Sequence, residues 1–523
     1  MNKFILSLDQ GTTSTRALLI DQNGKISGIA QKELTQIYPD NGWVEHNPNE
    51  ILNSQIEVID QVISENNIKT NQIAAIGIAN QRETAIVWDK DTGAPIYNAI
   101  VWQDNRTTDI CEDLKNKNLE KEISDKTGLL IAPYFSATKI SWILNNVKSA
   151  KEKAKEDKLL FGTIDSWLIW NLTEKQTHAT DFSNASRTML FNINKLEWDT
   201  DILNELDIPK SMLPKVLNSS ANFGNYNYKG HKIPIYGVLG DQQASLFGQL
   251  CFDETSTKNT YGTGCFMLMN TSKQIIKSKN GLLSTIAWGI NGEICYALEG
   301  SVFIAGAGIQ WLRDELKIIN SSEESEEHAL KSSDNNNLFV VPAFNGLGAP
   351  YWDMYAKGLI IGISRDTNKS DIIKATLDSI AYQTKDVLTS MEKDTKSKIN
   401  LLKVDGGASN NNYLMQFQSN ILGVKIERPQ NTEVTALGAA FIAGLLCSFW
   451  DINHLKNLKY AKENFNPKFD SDKINKLYQN WNNAVKRSMN CIKDKAKISI
   501  EPGIISATIG VFPIISPSII NES

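Results

Sequence analysis

At 523 residues the chain exceeds what one hydrophobic core holds, so two large domains are expected. Its 41% apolar and 22% charged residues are the balance of a folded globular protein and exclude a fibrous or disordered one. A net charge of −5, with Lys and Arg spread along the chain, leaves no electrostatic footprint for nucleic acid or an anionic membrane.

Residues 4–8 form an apolar run that Asp9 closes, and residues 16–20 form a second. The turn Gly11-Thr12-Thr13-Ser14 therefore joins two strands, and Asn23-Gly24 is a hairpin signal leading into a third. Both the lysine-containing P-loop and the dinucleotide fingerprint feed a helix, so this turn is neither. It offers backbone amides, the hydroxyls of Thr12, Thr13 and Ser14, the Arg16 guanidinium, and a carboxylate at Asp9 for a hard cation. That donor set suits phosphate. An ordinary hairpin capped by its own Asp and Thr would use the same residues.

Residues 73–78 and 85–88 read as strands flanking Asn80-Gln81-Arg82-Glu83. The adjacent charges of Arg82 and Glu83 supply donors and acceptors for a hydroxyl-rich ligand; as a surface pair they would be worth under about 1 kcal/mol. Residues 233–238 form another strand, ending in Leu239-Gly240-Asp241-Gln242-Gln243 ahead of helix-like residues 244–250. Open α/β sheets place their sites at such strand ends. Asp241 could take the proton of a phosphoryl acceptor, or it could cap the helix that follows.

A second unit begins near Gln249. Residues 257–261, the turn Gly262-Thr263-Gly264 and residues 265–269 repeat the strand–turn–strand pattern, without a carboxylate matching Asp9, and point to internal duplication. Gly306-Ala307-Gly308 reads as a helix start with close backbone approach, or as simple helix–sheet packing. Residues 317–337 read as a polar surface excursion. The strand at 401–404 ends in Asp405-Gly406-Gly407, with a helix expected over 413–422. Glycine at these turns lets amides approach phosphates closely. Trp102, Tyr134 and Phe266 could wall a small pocket, or be core.

No low-complexity linker separates the halves, which suggests a hinged cleft. The six cysteines and five histidines show no metal-ligand spacing, which fits a reduced, cytoplasmic compartment. A core strand at the start leaves no room for a signal peptide. Residues 504–520 are Ile-rich, but Pro513 and Pro517 interrupt them. A membrane helix needs about 20 apolar residues, so a loose or edge-packed tail is expected.

The motifs DQGTTSTR (9–16), NQRET (80–84), YFSATKISWILNN (134–146), GDQQASLFGQL (240–250), NTYGTGCFM (259–267), AGAGIQWLRDE (305–315), PAFNGLGAPYWD (342–353) and VDGGASNNNYLMQFQSNIL (404–422) occur in this order. Together they resemble the FGGY carbohydrate kinase family from about residue 3 to about 490, with residues 134–146 and 358–379 similar to its two signature regions. GWVEH (42–46), NAIVWQDNR (98–106) and DFSNASRTMLFN (181–192) look like its glycerol-phosphorylating members more than its pentulose kinases.

The resemblance implies an α/β fold of two ribonuclease-H-like (actin-like ATPase) domains with a nucleotide cleft between them. It implies an N-terminal domain over residues 1–248, a C-terminal domain over 249–495 and a tail of unassigned role over 496–523. ATP and Mg²⁺ are the implied cofactors and glycerol the implied acceptor. Thr12, Thr13, Ser14 and Arg16 would meet phosphates, Asp9 would act on the metal, and Thr263, Gly306, Gln310, Gly407 and Asn411 would contact the nucleotide. Arg82, Glu83, Trp102, Tyr134, Asp241, Gln242 and Phe266 would form the glycerol site, with Asp241 as base. The product would be sn-glycerol 3-phosphate. A cytoplasmic homodimer or homotetramer, with no nucleic acid or integral membrane partner, is the implied context.

One departure is informative. Residues 225–235, NYNYKGHKIPI, lack the Gly-Gly-Thr-Arg run with which many bacterial relatives bind fructose 1,6-bisphosphate, so that control is not expected. His231 does not have the spacing of the histidine that some relatives phosphorylate. Two rival readings are a kinase for another polyol or a ketose, and an actin-like ATPase acting as a chaperone or filament. The second has no need for Arg82, Glu83, Tyr134 and Asp241 around an acceptor.

Overall fold

The computed structural model describes residues 3–332, 337–458 and 462–491; the tail expected over 496–523 and its Ile-rich stretch lie outside them. Two mixed sheets organise the protein. The first runs in the order Asn225–Tyr228, His231–Gly240, Ile73–Asn80, Phe4–Gln10, Ser14–Ile20, Ile26–Glu33. Its strand Phe4–Gln10 pairs antiparallel with Ser14–Ile20 and parallel with Ile73–Asn80. Both faces of that strand are covered, which is why it reads as a continuous apolar run. Phe4, Leu6 and Leu8 pack towards Ile51, Val58 and Ile59 of the helix Pro48–Glu65. Ile5 turns the other way, onto the helix Val434–Leu446, as strand alternation requires.

The second sheet repeats this plan. Its order is Leu283–Ile290, Glu293–Val302, Cys265–Ser272, Thr257–Tyr261, Leu401–Asp405, Lys425–Pro429, Lys462–Phe465. Thr257–Tyr261 pairs antiparallel with Cys265–Ser272 and parallel with Leu401–Asp405. These are the relations Phe4–Gln10 has in the first sheet, so the duplication read in the sequence is present in the topology. Thr260 stands two residues before its glycine turn, where the first sheet has Asp9. The edge strand Leu283–Ile290 has no counterpart and leans on the first half: Ser219 N–H donates to Gly289 C=O at 2.8 Å. It brings its neighbour Glu293–Val302 close to residues of the first sheet.

The helix Val434–Leu446 belongs late in the chain yet lies on the first sheet and on the helix Asp241–Gly248. Glycines allow the contact. A methyl group on Gly438 would sit 1.8 Å from the Ala244 carbonyl oxygen, and one on Gly77 2.0 Å from that of Ala439. Neither can be relieved by rotating a side chain. Gly438→Ala should therefore lower unfolding stability by about 1–3 kcal/mol, the usual cost of overpacking, read from the urea midpoint; an unshifted midpoint would mean that the two helices separate freely.

Two sequence expectations need correction. The polar stretch 317–337 is not only surface: Glu324–Lys331 is a helix with Ser325 and Ala329 buried. Its acidic first turn hid that, because the apolar positions are few. The helix predicted over 244–250 runs over Asp241–Gly248, starting directly at the strand end. The six cysteines are free thiols. Among the described residues no helix is long and apolar enough to cross a membrane.

Candidate active site

Phe4–Gln10 and Ser14–Ile20 hold the first glycine turn, where Gly11 N–H donates to Ser14 C=O at 3.0 Å. Thr12 is braced from outside the turn. Its hydroxyl accepts from Trp102 Nε1 at 3.0 Å, and its carbonyl accepts from Gln36 Nε2 at 2.9 Å. Gln36 is in turn fixed by His46, whose pKa burial drives down to about 4, leaving a neutral ring. The GWVEH and NAIVWQDNR segments meet beside this brace. Arg106 pairs with Glu45 at 2.8 Å and Asp104 at 2.7 Å, and its guanidinium lies 3.8 Å from the Trp43 ring centre. Cations stack on aromatic faces in this way. Here the stack anchors the loop that carries Trp102.

Trp102 also meets the other two aromatics singled out in the sequence. Its ring centre lies 5.6 Å from that of Tyr134 and 6.0 Å from that of Phe266, edge to face in both cases. Buried Lys139 holds Tyr134 in place by donating to the carbonyls of Pro133, Tyr134 and Phe135.

Arg82 and Glu83 are buried, not a surface pair. Arg82 grips Glu299 with two N–H bonds, at 2.6 and 3.0 Å, while its Nε lies 3.2 Å from Asp241 Oδ1. Glu83 accepts from Arg187 Nε at 2.7 Å, and Arg187 Nη2 reaches Glu299 at 3.1 Å. Arg82 and Arg187 thus share Glu299, which comes from the second sheet. Glu83 has a φ of 60°, a left-handed backbone that costs a non-glycine residue of order 1–3 kcal/mol. Strain of this kind persists where surrounding bonds hold it; Ser136 Oγ donates to the Glu83 carbonyl at 2.8 Å.

The Asp241 side chain is 29% exposed, the only one of this charged group open to a ligand. Burial raises its pKa, against the pull of Arg82, Lys258 and the Gln242 bonds. Asp9 is pushed up to about 7 by burial, opposed by Arg16 and reinforced by Glu433 and Asp241. Arg16 is bound to Glu433 at 2.6 Å, at the start of the helix Val434–Leu446. A carboxylate so destabilised beside three hydroxyls suits a hard cation. Among the described residues no group of three or more His, Cys, Asp or Glu could hold a metal alone.

The five residues expected at the nucleotide meet in one cavity of about 530 Å³: Thr263, Gly306, Gln310, Gly407 and Asn411 all line it. The turn at Gly262 and the helix Gly306–Asp314 touch directly, Gly306 N–H donating to Gly262 C=O at 3.0 Å. Gly406 has a φ of +88°, and a methyl group there would lie 2.5 Å from the Tyr261 carbonyl oxygen. Only glycine fits. Ser322, Glu323, Ser325 and Glu326 complete the wall; they belong to the stretch read as surface.

Residues 4–248 match the FGGY family of carbohydrate kinases, N-terminal domain, and residues 257–447 match its C-terminal domain. The chain belongs to the FGGY family of carbohydrate kinases. Within it, the chain is 59% identical over 494 residues to glycerol kinase of Caldanaerobacter subterraneus subsp. tengcongensis, covering 94% of this chain and 99% of that one. It is 57% identical over 493 residues to glycerol kinase of Clostridium perfringens, covering 93% and 99%. Among solved structures it resembles Plasmodium falciparum glycerol kinase with ADP, with TM-score 0.87, 37% identity and coverage of 94% and 99%. A gluconate kinase from Lactobacillus acidophilus shares the fold at TM-score 0.83 and 23% identity, covering 92% and 97%. The FGGY fold, two actin-like α/β domains around a cleft, is the one expected from the sequence.

Sequence reasoning missed Glu299, Arg187, Lys258 and Glu433. Two of them carried a signal. Glu299 in YALEGSV and Lys258 in TKNTY are charges inside buried strands, and such residues are almost never fully buried without a partner.

Proposed function

We propose that this FGGY kinase transfers the γ-phosphoryl group of ATP to glycerol, giving ADP and sn-glycerol 3-phosphate. One observation carries the reading. Trp102 donates to Thr12 of the phosphate turn while its ring packs on Tyr134 and Phe266, so the acceptor pocket and the phosphate turn are contiguous. The likeness to named glycerol kinases supports glycerol as acceptor, and the ADP in the similar solved structure supports a nucleotide in the cavity around Gly407.

Asp241 takes the proton of the terminal hydroxyl, the freed oxygen bonds to the γ-phosphorus, and the bond to the ADP oxygen breaks. Arg82, Glu83, Tyr134 and Gln242 orient the hydroxyls, and Trp102 and Phe266 exclude water from the carbon chain. Thr12, Thr13, Ser14 and Arg16 grip the phosphates from one side, and Thr263, Gly306, Gln310, Gly407 and Asn411 hold the nucleotide from the other. Mg²⁺, near Asp9, would neutralise phosphate charge. The domain boundary then falls near residue 248, with both halves contributing to one site.

ADP release measured against glycerol, dihydroxyacetone, erythritol and xylulose tests the reading. Glycerol should raise release far above the basal rate, with one sn-glycerol 3-phosphate per ADP. A rate indifferent to every polyol would favour an actin-like ATPase with no acceptor.

A further inference from the structure

Lys258 is fully buried on the strand Thr257–Tyr261 of the second sheet. Its ammonium donates to Gln242 Oε1 at 2.6 Å and to Thr260 Oγ1 at 2.8 Å. Thr260 Oγ1 lies 3.1 Å from Ser245 Oγ, which donates to Asp405 Oδ2 at 2.9 Å. On its other side, Gln242 donates to Asp241 twice, from its backbone N–H at 2.7 Å and from Nε2 at 3.2 Å.

An amide side chain has one oxygen that accepts and one nitrogen that donates. An ammonium cannot accept, so the Gln242 oxygen must face Lys258 and its NH₂ must face Asp241. We propose that Lys258 is a positioning residue for the base: it pins the Gln242 amide so that Asp241 keeps a donor and a fixed orientation. The inference rests on the glycerol kinase reading of the same site.

The charged groups facing Lys258 are Asp405, Asp241, Arg82 and Glu299. Burial lowers Lys258 to about 8, against the pull of Asp405 and Asp241, so it remains charged at neutral pH. Asp241 belongs to the first half and Lys258 to the second. The base is therefore fully oriented only while the halves are together. The plain alternative is that Lys258 merely neutralises Asp405 and has no say in turnover.

A double-mutant cycle separates the two, with kcat for glycerol phosphorylation measured in the parent, Lys258→Met, Gln242→Ala and the double variant. Loss of one charge-assisted bond should cost each single variant about 10- to 100-fold in kcat. The double variant should be no slower than Gln242→Ala, with Kd for ADP unchanged throughout. Losses that multiply, or a loss confined to ADP affinity, would overturn the proposal. Should Lys258→Met fail to fold, Gln242→Glu serves instead: its side chain still accepts from Lys258 but no longer donates to Asp241, which keeps only the backbone N–H bond. A parent-like kcat in that variant overturns the proposal, and a drop of the same size at an unchanged Tm supports it. Turnover of the parent is measured first. Its absence removes the functional reading and this inference with it, whereas multiplying losses in an active parent remove this inference alone.

Discussion

Asp241→Asn should lower kcat by about 10²–10⁴, the usual range for loss of a general base, while leaving ADP binding and the unfolding midpoint close to the parent's. The substitution is isosteric. It removes the basic charge and keeps one acceptor oxygen, enough for the Gln242 backbone N–H bond at 2.7 Å, while the side-chain bond at 3.2 Å to the other oxygen is lost. The nucleotide cavity is lined by other residues and should not register the change. Calorimetry with ADP and a coupled ADP assay on one preparation would check both halves of this expectation. Near-parental turnover would mean that another group takes the hydroxyl proton.

The electrostatics around Asp241 fit the role. A group that accepts a proton must be ionised before the transfer, so turnover should fall at acid pH. Burial raises the Asp241 pKa, which places that fall above the ordinary carboxylate value of about 3.9. A more basic carboxylate is also the better acceptor near neutral pH. Arg82 and Lys258 pull in the opposite direction.

Much of this was legible in the chain. Apolar runs ending in glycine or aspartate marked the central strands, because strands covered on both faces need no alternation. The two glycine turns and the Asp405-Gly406-Gly407 run stood out by their glycines, and at Gly264 and Gly406 backbone crowding admits no side chain. What stayed hidden was pairing between residues far apart in the chain. Nothing local in SNASRTM tells that Arg187 reaches Glu83, or in YALEGSV that Glu299 reaches Arg82, partners 104 and 217 residues apart. The helix Glu324–Lys331 was obscured for another reason: its role is to wall a polar cavity, so it carries little apolar periodicity.

Glu299→Ala should be the most destabilising single change at the site. Two arginines, both buried, share that carboxylate, and removing one partner of a buried ion pair typically costs about 3–5 kcal/mol because a charge is left uncompensated. Affinity for glycerol should fall as well, since Arg82 loses the anchor opposite its Asp241 contact. The pH dependence identifies the cause. Burial alone would raise Glu299, but Arg187 and Arg82 outweigh it and hold the group at about 2. A folded-state pKa below the unfolded one gives stability that is present above about 4.5 and lost as pH falls towards 2. The stability gap between parent and variant should therefore be full at neutral pH and narrow steadily across that window, because a protonated Glu299, like its deletion, deprives Arg82 and Arg187 of the carboxylate they share. Urea titrations at several pH values would measure the gap. A constant gap would show that Glu299 contributes packing alone, and that the charge it shares between the two halves does not hold Arg82 in place.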